Sequence, residues 1–290
     1  MRALVPAAME RSAFFERASN ADLRWSPSNV GFSTSYRTRE SKTFNYAAVL
    51  EGPADAAITP IESPERDLQN SATLGFLPFE SLNARLTLRS ARDLLPPDEL
   101  IDPVARQAVR DETAALGGVD LGWEKSRGMS GIVAFQPRIA SWLRPSVTWS
   151  SDYSTSRTPH YLSIVEVNGE SIGTMQRDFD VATRLERRLH FDPAGLVGAA
   201  WGAQPSPERG FVGGTLHRMG RALLPVDVTW TIDRASRFER GDDEPGFRYR
   251  FGLGELDELR LVASDTAESA SERTGLQLRG GTRLPLGLQL

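Results

Sequence analysis

The sequence predicts an all-β fold and, within that class, a section of an antiparallel transmembrane β-barrel built from up-and-down hairpins. Three observations lead to this prediction. Apolar and polar residues alternate in stretch after stretch along the 290-residue chain. One of these stretches is longer than the strands of soluble proteins usually are. The connections between stretches are also of two kinds, short turns and long polar loops, as in outer-membrane barrels.

The alternation is clearest at Asp178–Asp192. A period of two places alternate side chains on opposite faces of a strand, so this strand has one apolar face and one charged face. Its fifteen residues exceed the ~5–6 of a typical soluble strand. They suit a tilted strand that crosses a bilayer in ~9–11 residues and continues into water. The apolar face carries Phe179, Val181, Leu185, Leu189 and Phe191, and the polar face carries Asp178, Asp180, Arg184, Glu186, Arg188 and His190.

The same alternation predicts the other strands in chain order. Asn168-Gly169 lies between two alternating runs and predicts a tight hairpin, because both residues tolerate positive φ. That hairpin joins Tyr161–Val167 to Glu170–Gln176. The remaining predicted strands are Val30–Tyr36, Phe44–Leu50, Leu68–Phe76, Leu82–Leu88, Val133–Phe135, Leu143–Tyr153, Leu224–Ile232, Phe247–Leu253, Leu259–Leu261, Leu276–Leu278 and Leu284–Leu290.

The connections predict which ends of the strands face which compartment. Phe76–Leu82 and Phe135–Leu143 are tight and contain a proline, as expected of short periplasmic turns. The long polar segments, as expected of external loops, are Glu51–Asp67, Leu94–Arg127 with a predicted helix over Pro103–Leu116, and Arg237–Pro245. Asp192–Gly220 fits neither kind, and we expect an irregular insertion there: a lumenal insertion, a periplasmic segment or a linker.

Composition narrows the class of protein. The net charge of −4 gives no bulk attraction to nucleic acid, and the absence of cysteine excludes disulfides and thiolate chemistry. No apolar run is long enough for a transmembrane helix. Residues 1–20 lack the order of a signal peptide, and the chain does not end on an aromatic residue. We therefore expect residues 1–290 to be one barrel section that belongs to a longer chain in the outer membrane.

The sequence predicts no catalytic site, metal site or cofactor. The three histidines, His160, His190 and His217, have no metal-ligand spacing. The nearest approach to a site is His190-Phe191-Asp192, which we interpret as polar groups on a strand. The charged residues of the predicted polar faces are instead candidates to line a water-filled pore: Arg85, Arg89, Asp178, Asp180, Arg184, Glu186, Arg188, Arg248 and Arg250.

The two hairpin units, Leu74–Leu94 and Ile132–Tyr153, share an aromatic-x-Pro turn followed by alternation. In this they resemble the repeated hairpins of the giant outer-membrane translocon of the type 9 secretion system, also called the gliding-motility cell-surface protein. The resemblance implies that the chain is part of a protein-conducting pore. It also implies secreted protein substrates, accessory secretion-system subunits and outer-membrane lipid as partners.

Two alternatives fit the same pattern. One is another outer-membrane barrel, a porin or a lipopolysaccharide-assembly-type barrel. The other is a soluble β-sandwich binding module, whose strands also have one apolar face. Arginine at Leu86 or Val181 separates them: it blocks membrane insertion if these residues face lipid, and unfolds a soluble domain if they face a core.

Overall fold

The computed structural model describes residues 26–44, 60–96, 102–113, 115–116, 119–167, 170–201, 222–241, 243–262 and 265–282. The main strands are β1 (Pro27–Thr43), β2 (Ile61–Phe79), β3 (Leu82–Asp93), β6 (Trp123–Phe135), β7 (Leu143–Val167), β8 (Glu170–Phe191), β9 (Val226–Gly241) and β12 (Ser269–Arg279). Two short pairs are β4 (Ala115–Leu116) with β5 (Val119–Asp120), and β10 (Leu261–Val262) with β11 (Asp265–Thr266). The helices are α1 (Pro103–Glu112), α2 (Pro193–Trp201), α3 (Phe247–Arg250) and α4 (Leu256–Leu259).

The eight main strands form one antiparallel sheet in the order β1-β2-β3-β6-β7-β8-β9-β12. Each strand pairs with the next main strand along the chain, so the sheet is an up-and-down meander. The prediction of an all-β fold is confirmed. Among the described residues β1 and β12 are the outer strands and do not pair with each other, so the sheet is open.

The longest strands merge segments that the sequence pattern separates. Leu143–Tyr153 and Tyr161–Val167 belong to one strand, β7, because an irregularity in the register between Arg157 and Leu162 shifts the alternation without ending the pairing. The predicted hairpin is present, with Val167 paired to Glu170. Most of Phe44–Leu50 and all of Leu284–Leu290 lie outside the described residues.

Two predicted strands are wrong. Phe247–Leu253 and Leu259–Leu261 alternate in sequence, but residues 247–250 and 256–259 form the short helices α3 and α4. Phe247 and Phe251 are four residues apart, which suits a helical turn as well as a strand face, and their rings lie 4.3 Å apart. Gly252 then reverses the chain at a φ of 56°, which an L side chain rarely adopts.

The two ends of the sheet differ. At one end, the turn end, β2 joins β3 through residues 80–81 and β6 joins β7 through 136–142. At the other, the loop end, residues 94–122 and 242–268 make long connections, whereas β7 joins β8 there through residues 168–169 alone. The helix of the first is shorter than predicted and ends at Glu112 rather than Leu116. The predicted insertion Asp192–Gly220 begins at the turn end with α2, and its residues 202–220 lie outside the described part.

Among the described residues, the buried core lies near the loop end and consists of two clusters. The first joins Tyr153, Phe179 and Phe238 of the sheet to Tyr249 and Leu259. The second joins α1 to Trp123 and Met175. We call residues 243–262, which contain α3, α4 and β10, the shelf, because they pack against the sheet as a separate layer. In the described part of the chain, no helix is both long and apolar enough to cross a membrane.

Candidate functional site

The two faces of the sheet differ in chemistry over its whole width. Residues paired directly across neighbouring strands point to the same side, so the register assigns every position to one face. Leu86, for example, pairs with Leu74 and Gly131, whereas its neighbour Arg85 pairs with Gly75 and Ile132. We call the face that carries Leu86 the apolar side and the opposite face the polar side.

An apolar band crosses all eight strands toward the turn end of the apolar side. Much of it is exposed: Phe32 has 73% of its surface accessible and Leu276 has 74%. Among the described residues, no second sheet packs against it. The band comprises Val30, Phe32, Leu74, Phe76, Leu82, Ala84, Leu86, Leu88, Met129, Val133, Phe135, Leu143, Val147, Trp149, Leu185, Leu189, Phe191, Val226, Val228, Trp230, Ile232, Leu276 and Leu278.

The band is stepped: it keeps its register from β3 to β6 and from β7 to β9, and it shifts between β6 and β7. On β3 it covers Leu82–Leu88 and on β9 it covers Val226–Ile232. The ladder of paired residues that begins at Leu86 reaches Thr183 on β8 and Arg234 on β9, which lie beyond the band. Between β3 and β9 the band is thus displaced by about four residues, roughly 13 Å, and the whole displacement falls between β6 and β7.

One charged residue interrupts the described part of the band. Arg187 lies on the apolar side of β8, directly paired with Trp230. Its guanidinium carbon lies 4.5 Å from the centroid of the Trp230 ring. A cation over an aromatic face is stabilised electrostatically, so Arg187 has a partner within the band itself.

Aromatic side chains gather at the turn end of the band. Phe79 and Phe135 meet edge to face with ring centroids 6.2 Å apart, and Trp142 and Phe191 do so at 6.1 Å. Edge-to-face contacts of this kind stabilise aromatic pairs beyond their burial. The turn-end margin of the band is thus an aromatic row.

The polar side of β8 and β9 carries a chain of ion pairs. Glu186 Oε1 lies 2.5 Å from Arg188 Nε, and Arg184 Nε lies 3.6 Å from Asp233 Oδ1 on the next strand. Ser154 donates a hydrogen bond of 2.6 Å to Asp180. Asp178 lies nearer the loop end, where its carboxylate accepts a hydrogen bond from the backbone N–H of Arg240. The sheet therefore brings together the predicted residues Asp178, Asp180, Arg184, Glu186 and Arg188 on one face.

Arg85 and Arg89 lie on the same polar side but away from these carboxylates, on β3. Neither makes an ion pair within the described part of the chain. Arg89 lines a depression of about 430 Å³ whose other walls are mostly hydroxyl and amide groups, among them Ser33, Ser71 and Gln69. The carboxylates of this half of the polar side, Glu65, Asp67 and Asp93, lie farther toward the loop end.

The structure separates the last two predicted residues from the others. Arg248 and Arg250 lie in α3 of the shelf instead of on a strand of the sheet. Arg248 pairs with Glu258 at 3.1 Å, and Arg250 pairs with Glu244 at 2.6 Å. Their predicted place on the polar face is wrong, because the strand that would have put them there does not form.

The histidine that the sequence singled out has a partner on the next strand. His190 Nδ1 lies 2.7 Å from Asp227 Oδ1, while Phe191 points to the opposite side of the sheet. The partner is therefore Asp227, paired across the ladder, and not the neighbouring Asp192. Among the described residues, no three or more histidine, aspartate or glutamate side chains lie close enough together to hold a metal ion.

An ion-pair network that the sequence did not reveal lies on the apolar side at the loop end. Glu244 of the shelf pairs with Arg127 at 3.0 Å and with Arg177 at 3.3 Å. Arg157 pairs with Glu112 of α1 at 2.6 Å. These groups come from three strands and two connections far apart in sequence, so no local motif predicts them. The network consists of Glu112, Glu124, Arg127, Arg157, Arg177, Glu244 and Arg250.

Val181 also differs from its sequence-based expectation. It lies on the apolar side as predicted, but it is buried beneath the shelf with Tyr249 and Leu259 as members of the same cluster. Arginine at this position would thus disrupt a protein core, whereas Leu86 lies in the uncovered band. Of the two positions, Leu86 alone tests contact with lipid.

Comparison with known proteins adds no further constraint. No protein-family model matches this chain, and no curated protein is detectably similar to it in sequence.

Proposed function

We propose that this chain is a section of an outer-membrane β-barrel, with its apolar band against lipid and its polar side lining a water-filled passage. The observation that carries the proposal is the exposed apolar band across eight strands opposite a charged face. Soluble monomers rarely expose contiguous apolar patches of more than a few hundred Å². A bilayer covers such a surface, and hydrogen bonding between neighbouring strands satisfies the backbone groups that lipid cannot.

The aromatic margin of the band also supports a transmembrane barrel. The aromatic row at the turn end corresponds to one of the interfacial girdles of such barrels. Short turns then face the periplasm and the loop end faces the exterior.

The unpaired outer strands favour a section of a larger barrel. In hydrocarbon, each backbone N–H or C=O group without a hydrogen-bond partner has a free-energy cost of roughly several kcal/mol. Among the described residues β1 and β12 each have one unpaired side, so the proposal requires further strands beside them. The resemblance of the hairpin units then favours a protein-secretion translocon of the type 9 system, whose substrates are secreted proteins and whose partners are accessory secretion-system subunits.

Membrane insertion tests the barrel itself. Leu86→Arg places a charge on the lipid-facing side, at a cost of about 2–4 kcal/mol near the bilayer centre. Thr87→Arg is the matched control, since Thr87 lies on the polar side next to Thr73. We expect Leu86→Arg to prevent insertion into phosphatidylcholine vesicles and Thr87→Arg to insert like the parent. Equal insertion of both variants would show that Leu86 does not face lipid.

Crosslinking tests the kind of passage. A photoreactive residue at position 89 points to the polar side, and the same residue at 88 points to the apolar side. In cells that make the complete barrel, we expect position 89 to capture secreted polypeptides and position 88 to capture none. Capture at neither position, together with ion conductance in bilayers, would support a porin instead.

A further inference from the structure

The shelf packs onto the apolar side of the sheet and not over the polar side. The ring of Tyr249 meets those of Phe179 and Phe238 edge to face, with centroids 5.5 and 5.6 Å apart. The Tyr249 hydroxyl lies 2.8 Å from Ser236 Oγ, in a buried hydrogen bond. The connection between β9 and β12 therefore leaves the polar side open and covers the outer surface above the band.

The margin of the shelf reaches the edge of the apolar band. Gly252 lies so close to β8 that a Cβ atom there would be 1.9 Å from Thr183 Cγ2. Arg234 of β9 donates a hydrogen bond of 3.2 Å to the carbonyl oxygen of Gly254. Thr183 and Arg234 lie one step along the ladder from Leu185 and Ile232, where the band begins. Leu253, between the two glycines, thus lies at the boundary of the band.

The exposed surface of the shelf is apolar at this boundary. Leu253 is 52% exposed and Phe247 is 66% exposed, with Phe247 held against Phe251. The arginines of the shelf do not supply a free positive charge, because Arg248, Arg250 and Arg260 each pair with a carboxylate of the same segment. Because the shelf also exposes the carboxylates Asp243, Glu255 and Asp257, apolar contact with another surface would rest on Leu253 and Phe247.

We propose that the shelf rests on the outer surface of the lipid bilayer and places Leu253 and Phe247 in its interfacial layer. The inference rests on the proposed function, since it takes the apolar band to be in contact with lipid. We infer contact with the lipid bilayer because the shelf projects from the same side of the sheet as the band and begins where the band ends. Amphipathic segments that bury apolar side chains in the headgroup boundary bind membranes in this way.

The shelf also fixes how deeply the sheet lies in the membrane. Over β7, β8 and β9 it covers the apolar side beyond the band, so lipid cannot advance past Leu185 and Ile232. The aromatic cluster and the ion pairs of Glu244 hold the shelf to four strands, β6, β7, β8 and β9. The depth of the barrel is thus set by packed protein and not by the band alone.

Depth-dependent quenching tests this inference. The chain contains no cysteine, so a single cysteine can be placed and labelled with a fluorophore at Leu253, at Leu276 in the band, or at Gln277 on the polar side. The probe is a phosphatidylcholine vesicle whose lipids carry a nitroxide either near the glycerol or deep in the acyl chain. We expect the shallow nitroxide to quench position 253 more than the deep one, the deep nitroxide to quench position 276 more, and neither to quench position 277. Phe247→Cys repeats the shelf measurement at an independent site.

The outcomes separate this inference from the function on which it rests. Quenching at 276 with none at 253 or 247 overturns the shelf inference and leaves the barrel intact. Absence of quenching at 276 overturns both. If the deep nitroxide quenches position 253 more strongly than position 276, the shelf lies inside the hydrocarbon, and this result also contradicts the inference.

Discussion

At the scale of single residues, Gly252 holds the shelf against the sheet. Its φ of 56° belongs to the left-handed region, and its Cα lies against Thr183 with no room for a methyl group. Glycine is the one residue without a Cβ, so it meets both requirements. The aromatic ring of Tyr249 can pack into the cluster of Phe179 and Phe238 because the chain turns back at this point.

Substitution of Gly252 tests this role. Gly252→Ala introduces backbone strain and a clash with Thr183, and we expect it to weaken docking of the shelf by about 1–3 kcal/mol. Limited proteolysis within residues 243–262 measures the effect. Gly246→Ala is the control, because a Cβ at that position meets nothing within 4 Å. Equal protease resistance of the two variants would contradict the role of Gly252.

The ionisation of Tyr249 weakens docking of the shelf at alkaline pH. Burial raises the pKa of its hydroxyl above the ordinary value of 10.0, more than the hydrogen bond with Ser236 lowers it, and Tyr153 and Asp180 also act to raise it. A raised pKa means that the folded state favours the neutral form. This contribution to stability is fully present below pH 10.0 and is lost as the pH rises through the raised pKa of the folded state.

We therefore expect the shelf to detach above about pH 10. Tyrosinate absorbance and proteolysis of residues 243–262 follow the two events together. In Tyr249→Phe the ionisation is absent, so the pH dependence that this group contributes should disappear. Detachment with the same pH midpoint in Tyr249→Phe would show that another group controls it.

The sequence predicts which face of the sheet many side chains point to, but not whether another part of the chain packs over them. The alternation in Asp178–Asp192 places Phe179 and Leu185 on one face, and the register confirms it. It cannot tell that Phe179 lies under the shelf whereas Leu189 is 40% exposed in the band. Whether such a residue is covered depends on the shelf, some sixty residues further along the chain, and no local pattern encodes how the shelf packs.

At the scale of elements, the ion-pair network joins two loop-end connections to the sheet. Glu112 belongs to α1 and Glu244 to the shelf, and arginines of β6, β7 and β8 lie between them. The Arg157 side chain is only 9% exposed, so its charge depends on Glu112 and Glu124 for compensation. Removal of one partner from a buried pair leaves the other charge uncompensated.

The network predicts unequal effects for two ion pairs of the same length. Arg157–Glu112 and Lys42–Glu62 both measure 2.6 Å, but the side chains of the second pair are 55% and 60% exposed. We expect Arg157→Met to lower the free energy of unfolding by about 3 kcal/mol. Lys42→Met should produce no measurable change, because water screens exposed pairs. Urea unfolding in detergent measures both, and similar losses would contradict the buried character of the network.

The elements that the sequence mispredicts share a physical cause. Phe247, Tyr249, Phe251 and Leu253 alternate, but the run is flanked by Gly246 and interrupted by Gly252. A short apolar run fits a strand and a helical turn equally well, so long-range packing decides between them. Here Tyr249 packs against Phe179 and Phe238, and this contact selects the turn. The long strands were predictable because their alternation continues over many residues.

At the scale of the whole molecule, the chemistry of the two faces carries the argument. The apolar band and the polar ladder on β8 and β9 both follow from the register of a single sheet. The sequence predicted an all-β meander, since each hairpin is encoded locally. The step of the band between β6 and β7 was not predictable, because it depends on the pairing register between strands.

The measurement that tests the central proposal most directly is a cysteine scan of residues 82–89 on β3, with a spin label at each position in phosphatidylcholine vesicles. Positions 82, 84, 86 and 88 lie on the apolar side and positions 83, 85, 87 and 89 on the polar side. The proposal predicts a period of two, in which the first set is reached by oxygen dissolved in lipid and the second by a water-soluble nickel complex. If the first set is shielded from both reagents, the band faces a protein core and the membrane barrel is wrong.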